Sequence, residues 1–204
     1  MNSRRATRVL AALLLGSCSL AFAAADGSKL EIPEGAEVAI VVFEDLQCPD
    51  CARAHPELLE ASRASKVPLV IHDFPIQRHV WAFPAAVMAR YMTAQSPDLG
   101  AGFRSFVFER QGNIRPDNLR QFGEQFASER ELTLPGDIDP DGKLAAQVQA
   151  DYDLGIKTGL EYVPLIFVVR RGDDPARAVE VTDTAELGAV IARMKKDVPG
   201  KTVH

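Results

Sequence analysis

The sequence is short of cysteine, of net positive charge and of long apolar runs, and each shortage removes a class of function. Three cysteines in 204 residues are too few for the disulfide framework that staples small exported domains. The formal net charge is −5, and a chain of that sign is a poor partner for nucleic acid or for an anionic membrane surface. Beyond the N-terminal segment, no run reaches the roughly 20 apolar residues that span a bilayer as a helix. No internal repeat or low-complexity tract interrupts an ordinary globular composition, and the length suffices for one substantial core.

The N-terminus departs from this pattern. Arg4, Arg5 and Arg8 precede the apolar segment Val9 to Leu15, and small residues follow at Ala21-Phe22-Ala23 and Ala23-Ala24-Ala25. A basic start, a short apolar stretch and A-x-A sites describe a secretory signal peptide over residues 1–25. Leu15-Gly16-Ser17-Cys18 also resembles a bacterial lipobox, which would acylate Cys18 and leave the chain lipid-anchored. Either route delivers the domain to the periplasm or another extracytoplasmic space. Cleavage leaves 20 basic and 28 acidic side chains, a net charge of −8. It also leaves Cys48 and Cys51 as the remaining cysteines, in a compartment where disulfides persist.

After a polar lead-in over residues 26–36, Val38 to Phe43 reads as a buried strand, β-branched and too short for a helix. Cys51 to Ser65 follows as a helix with Pro56 inside it, and Val67 to Phe74 as a second strand. From His79 to about Tyr152 the pattern is helical. Trp81, Val87, Met88, Tyr91 and Met92 form an apolar stripe, read as core and, secondarily, as a substrate groove. Asp141 to Leu154 closes this block. Pro164 to Val169 then reads as a strand and Ala178 to Val181 as its hairpin partner. Thr182 or Asp183 caps a last helix ending near Lys196. The order β-α-β, helices, β-β-α predicts one α/β domain interrupted by a helical insertion.

Cys48-Pro49-Asp50-Cys51 joins the first strand to the first helix. A cysteine at a helix N-terminus meets unpaired N–H groups and the positive end of the helix dipole, which favour its thiolate. The second cysteine lies one turn in, within reach of a small disulfide ring. This spacing predicts thiol–disulfide exchange, with Cys48 as nucleophile and Cys51 resolving the mixed disulfide. Asp50 is a carboxylate next to the Cys48 sulfur and is expected to disfavour its thiolate.

Phe43-Glu44-Asp45-Leu46-Gln47-Cys48-Pro49-Asp50-Cys51 resembles the F-x-D-x-x-C-P-x-C signature of DsbA-like thiol:disulfide oxidoreductases of the thioredoxin superfamily. Pro56 matches the proline that kinks the active-site helix. Val163-Pro164 is similar to the cis-proline dipeptide that faces the dithiol. Phe74-Pro75 with His79 and Ala85-Ala86-Val87 resembles the entry to the family's helical insertion. The resemblance implies a thioredoxin fold in two halves, residues 37–78 and 156–204, split by a helical insertion over 79–155. It implies that Val163 and Pro164 face the substrate, and that Pro164 keeps metal off the dithiol.

By that resemblance, the protein exchanges its Cys48–Cys51 disulfide with cysteine-containing exported proteins, as an oxidant reloaded by a membrane quinone-linked partner. The alternative is a reductase or isomerase kept reduced by a membrane donor. Pro49, Asp50 and Asp45 are the expected tuning residues. Glu44 and Asp45 are candidates for moving the Cys51 proton, because Val42 occupies the place of the family's usual buried acid. No cofactor and no metal are called for. A metal chaperone built on Cys48, Cys51 and His55, or a holdase using the helical face, is the non-enzymatic alternative, and His55 otherwise reads as a helix-surface residue.

Overall fold

The computed structural model describes residues 25–197. Residues 1–24, which include Cys18 and most of the expected signal peptide, and residues 198–204 lie outside the described part. The central strand β1 (Val38–Glu44) is buried along its whole length because it has a strand on each side. It runs parallel to β2 (Leu69–Asp73) and antiparallel to β3 (Leu165–Arg170), and β3 pairs antiparallel with β4 (Ala178–Glu180). The sheet order is β2-β1-β3-β4. A strand covered on both faces needs apolar side chains at every position, which is why Val38 to Phe43 reads as a continuous run rather than an alternation.

Helix α1 (Pro49–Ser65) follows β1. It begins two residues earlier than the periodicity indicates, because Pro49 is suited to the first helical position, where a missing N–H costs nothing. Lys66 ends it in the left-handed conformation, and its N–H returns to the carbonyls of Ser62 and Arg63. Four helices intervene between β2 and β3: α2 (Ala82–Gln95), α3 (Pro97–Arg110), α4 (Leu119–Ser128) and α5 (Lys143–Lys157). The chain closes with α6 (Leu187–Lys196), which is led in by a 3-10 turn whose Ala185 N–H bonds the Asp183 carboxylate.

The pleat of β1 sends side chains to two cores. Val38, Ile40 and Val42 pack with Leu58 of α1 and with Leu187, Val190 and Ile191 of α6. Val41 and Phe43 face the opposite way, toward the helical block, whose Trp81, Met88, Met92, Phe103 and Phe126 complete that core. The Trp81–Met92 stripe is therefore core. Phe103 and Phe126 meet edge to face at 5.2 Å, a contact worth about 0.5–1.5 kcal/mol beyond the area it buries. Gly155 of α5 sits where a Cβ would come within 2.6 Å of the Phe74 ring, so its lack of a side chain lets α5 lie close to the end of β2.

Candidate active site

Both cysteines lie where β1 gives way to α1. Cys48 is the N-cap of α1, in extended backbone, and its own N–H closes a tight turn onto the Asp45 carbonyl at 3.0 Å. Cys51 is inside the first turn. Both cysteines are buried, Cys48 retaining 6% of its surface and Cys51 1%, so Cys48 is the less shielded of the two. The Val163–Pro164 peptide bond is cis, and the Val163 carbonyl oxygen lies 3.7 Å from the Cys48 Sγ. Beside that pair runs a cleft of about 520 Å³, bounded by Asp50, Arg53 and Glu57 of α1, Tyr162 to Pro164, and the segment Val181 to Thr184.

The helical block pins the active-site loop. The Gln111 side-chain amide donates to the carbonyls of Leu46 (2.9 Å) and Cys48 (3.1 Å), and the Trp81 N–H donates to the Gln47 side chain at 2.9 Å. Neither role is legible in the sequence, since Gln111 lies 63 residues beyond Cys48 and carries no motif.

Charge around the sulfurs comes from directions the spacing does not reveal. Asp50 pairs with Arg53 on the exposed side of α1. The carboxylate that bears on the Cys48 sulfur is Asp45, which raises its pKa, while His79 lowers it. Asp45 is buried. Its Oδ1 accepts from the Gln47 N–H at 2.6 Å, and its Oδ2 accepts from the Ile76 N–H at 2.7 Å and from His79 Nδ1 at 2.8 Å. Burial holds the Asp45 carboxyl above its ordinary value despite those three donors.

The dithiol itself is asymmetric. A hydrogen bond from the Cys51 side chain, assisted by the Cys51 N–H, outweighs burial and brings the Cys48 thiol down to about 6. Burial pushes the Cys51 thiol far up, with the bond to Cys48 and the nearby Glu44 charge acting in the same sense. At neutral pH Cys48 is therefore a thiolate and Cys51 a thiol, the division of labour that exchange requires.

Below Cys51 lies a buried ionic network that sequence reasoning missed. Arg104 of α3 donates to Glu44 at 3.0 Å and to Asp73 at 2.7 Å. Asp73 also accepts from Arg90 of α2 at 2.6 Å, and Arg90 reaches Asp151 of α5, which bonds His72 at 2.7 Å. The signal for Arg104 was a charge set among Phe103, Phe106 and Val107 on one helix. His55, expected at the surface, is instead buried against Glu44 and Phe108. It lies four residues after Cys51, on the face of α1 that meets the sheet. Among the described residues no group of three or more His, Cys, Asp or Glu side chains is arranged to hold a metal ion, so the set Cys48, Cys51 and His55 is not assembled.

The profile of the thioredoxin family matches residues 33–181. Solved structures share the fold. The α-DsbA1 protein of Wolbachia pipientis is 16% identical, with a TM-score of 0.65 over 85% of this chain and 97% of that one. DsbA2 of Pseudomonas aeruginosa is 16% identical, with a TM-score of 0.59 over 80% of this chain and 92% of that one. The catalytic domain of Proteus mirabilis ScsC is 15% identical, with a TM-score of 0.62 over 79% of this chain and 85% of that one. No curated protein sequence matches this chain.

Proposed function

The chain belongs to the thioredoxin family, and from that premise we propose that it is an exported thiol:disulfide oxidoreductase of DsbA-like type. It passes the Cys48–Cys51 disulfide to cysteine pairs in exported proteins and is reloaded by a quinone-linked membrane partner. The observation that carries this reading is the asymmetric dithiol, a less shielded Cys48 lowered to about 6 beside a more deeply buried Cys51 held up as a thiol. The likeness to α-DsbA1, DsbA2 and ScsC supports it at the level of fold. Residues 79–155 are read as the insertion that carries Gln111, Arg90 and Arg104 to the dithiol.

A substrate thiolate attacks the Cys48 sulfur, the Cys48–Cys51 bond breaks, and Cys51 leaves with the electron pair and takes up a proton. The second substrate thiolate then attacks the substrate sulfur of the mixed disulfide, and Cys48 leaves as a thiolate. Two substrate thiols end as a disulfide, and the protein ends as a dithiol. Val163, next to Cys48, offers its backbone to an extended substrate segment in the manner of strand addition, and Pro164 keeps that stretch free of a competing N–H. Pro49 likewise leaves the mouth of the helix without one donor.

Direction follows from which form of the dithiol is stabilised. A Cys48 thiolate held at about 6 stabilises the reduced protein, so the disulfide is a good oxidant. The Asp45 carboxylate acts against that thiolate and favours the second reading, a reductase. Equilibration of the purified protein in graded glutathione buffers separates the two. A potential above that of thioredoxin, about −270 mV, is expected; one at or below about −270 mV makes the protein a reductant.

A further inference from the structure

The cleft beside the cis-proline combines three features: negative charge, an apolar floor and a fixed aromatic ring. It encloses about 520 Å³, and the side chains around it include three carboxylates, Asp50, Glu57 and Asp183, against one guanidinium, Arg53. Among the described residues Asp50 alone of the three has a cationic partner, and that partner is Arg53. The other two are held by neutral donors, which leave their charge uncancelled. The Thr184 hydroxyl donates to Glu57 Oε2, and the Ala185 N–H donates to Asp183 Oδ1 at 2.9 Å. General acidity of the surface does not account for this. The cleft on the helical side of the active-site loop encloses about 400 Å³ against Gln47, Pro49, Trp81 and Gln111; its charged group is Arg115, and no carboxylate lines it.

The other two features fit a long organic cation. Ala54, Ile166 and Val181 line the acidic cleft and are themselves buried, so its floor is apolar and suits the methylene stem of a Lys or Arg side chain. Tyr162, the residue before Val163, stands at the rim with 51% of its surface open. Its hydroxyl donates to Glu180 Oε1 of β4, which fixes the ring at that rim. An aromatic ring attracts an ammonium or guanidinium through its quadrupole, and a carboxylate attracts it through charge-assisted hydrogen bonds. The cleft also touches the chemistry. Val163 lines it, and the Val163 carbonyl oxygen is 3.7 Å from the Cys48 Sγ.

Resting on the exchange reaction above, we propose that this cleft selects substrate segments with Lys or Arg within two residues of the reacting cysteine. The substrate backbone lies along Val163, its cysteine sulfur reaches Cys48, and the nearby cation enters the cleft between Glu57, Asp183 and the Tyr162 ring. Glu57 and Asp183 set the sign of the preference, and Tyr162 favours a cation over a neutral polar side chain. The same carboxylates repel a segment with Asp or Glu at that place, so discrimination comes from repulsion as well as attraction. Because the cleft opens to solvent, its preference is sensitive to salt. The negative charge of the whole chain steers basic segments toward the protein in the same sense.

The test uses three dithiol peptides that differ only in the residues within two positions of the first cysteine, which are Lys, Gln or Glu. Their oxidation by the disulfide form of the full protein is followed by rapid mixing at pH 7. The Lys peptide is expected to react at least about tenfold faster than the Glu peptide at about 20 mM salt, and the ratio to shrink to about threefold at 0.5 M. The double variant Glu57→Gln, Asp183→Asn keeps the acceptors for the Thr184 hydroxyl and the Ala185 N–H, and is expected to bring the low-salt ratio to about threefold or less. Tyr162→Leu is expected to reduce the advantage of Lys over Gln severalfold. The peptides' own thiol reactivity cancels, because the same peptides meet both forms of the protein. Equal rates for the Lys and Glu peptides overturn the proposal, as does a ratio that survives in the double variant. Should the double variant not fold, Glu57→Gln alone, at an exposed position of α1, decides by the same ratio. Failure of the wild-type protein to oxidise any of the three peptides would instead overturn the exchange reaction itself.

Discussion

Glu44 and Asp45 are adjacent in the chain, equally buried and both beneath the dithiol, yet the protein treats them in opposite ways. Burial raises the pKa of each, and what differs is the opposing force. At Glu44 it is outweighed by His55 and by the Arg104 guanidinium, so the carboxyl lies below its ordinary value. Asp45 is met by two backbone N–H groups and His79, which do not overcome burial, and its carboxyl lies above. At Glu44 the His55 contact and the buried Arg104 guanidinium together offset desolvation, whereas the backbone donors and His79 at Asp45 fall short. Glu44 is the last residue of β1 and Asp45 the first of the loop that follows, which is how neighbours reach such different company. One side chain points to the α1 and α3 side, the other to the turn between β2 and α2.

The comparison breaks most severely at Arg104. Arg104→Met leaves Glu44 and Asp73 buried without their shared cation, and urea unfolding is expected to register a loss of about 3–5 kcal/mol. A conservative lysine cannot rescue it, because one ammonium does not present the two forked donors that Glu44 and Asp73 use.

Acid titration of stability sharpens the comparison. Because Glu44 is lowered from 4.5 in the folded protein, its contribution is full above that value and is lost as pH falls through the folded one. Asp45 is raised from 3.8, so the folded state binds its proton more tightly. Its effect on stability therefore falls as pH rises from 3.8 through the folded value. Urea midpoints across the acid range should flatten on the acid side in Glu44→Gln. In Asp45→Asn they should steepen, because the opposing trend is gone; parallel profiles would mean that the two carboxylates are equivalent.

Smaller effects are expected at the sulfur. Asp45→Asn removes the carboxylate that opposes the Cys48 thiolate, so the midpoint of thiolate absorbance should fall below the wild-type value of about 6. Asp50→Ala should move it less, since Asp50 is exposed and already paired with Arg53, and such surface pairs are worth about 0–1 kcal/mol. An Asp50 effect larger than that of Asp45 would restore the active-site dipeptide as the tuning element.

Much of the molecule could be read along the chain. The strand from Val38 to Phe43, the dithiol at its end, and the Val163-Pro164 dipeptide ahead of β3 are local patterns, and local patterns carry through because each depends on neighbours in sequence. The reading that fails concerns a single polar residue: His55, expected on the helix surface, is buried. The α3 side chains that cover it lie some 50 residues away in the chain. Arg104, Arg90, Asp73 and Asp151 could not be joined into a network from the chain, since 78 residues separate Asp73 from Asp151.

The sequence by itself determined the order of strands and helices and the place of the two cysteines at a helix N-terminus. These follow from side-chain period and from backbone groups that every helix start leaves unpaired. Only the tertiary structure decided which carboxylates lie beneath the dithiol, which histidine is buried, and which charges share one network. Those properties depend on desolvation and on distances of a few ångström between groups brought together by packing, and no pattern along the chain encodes either.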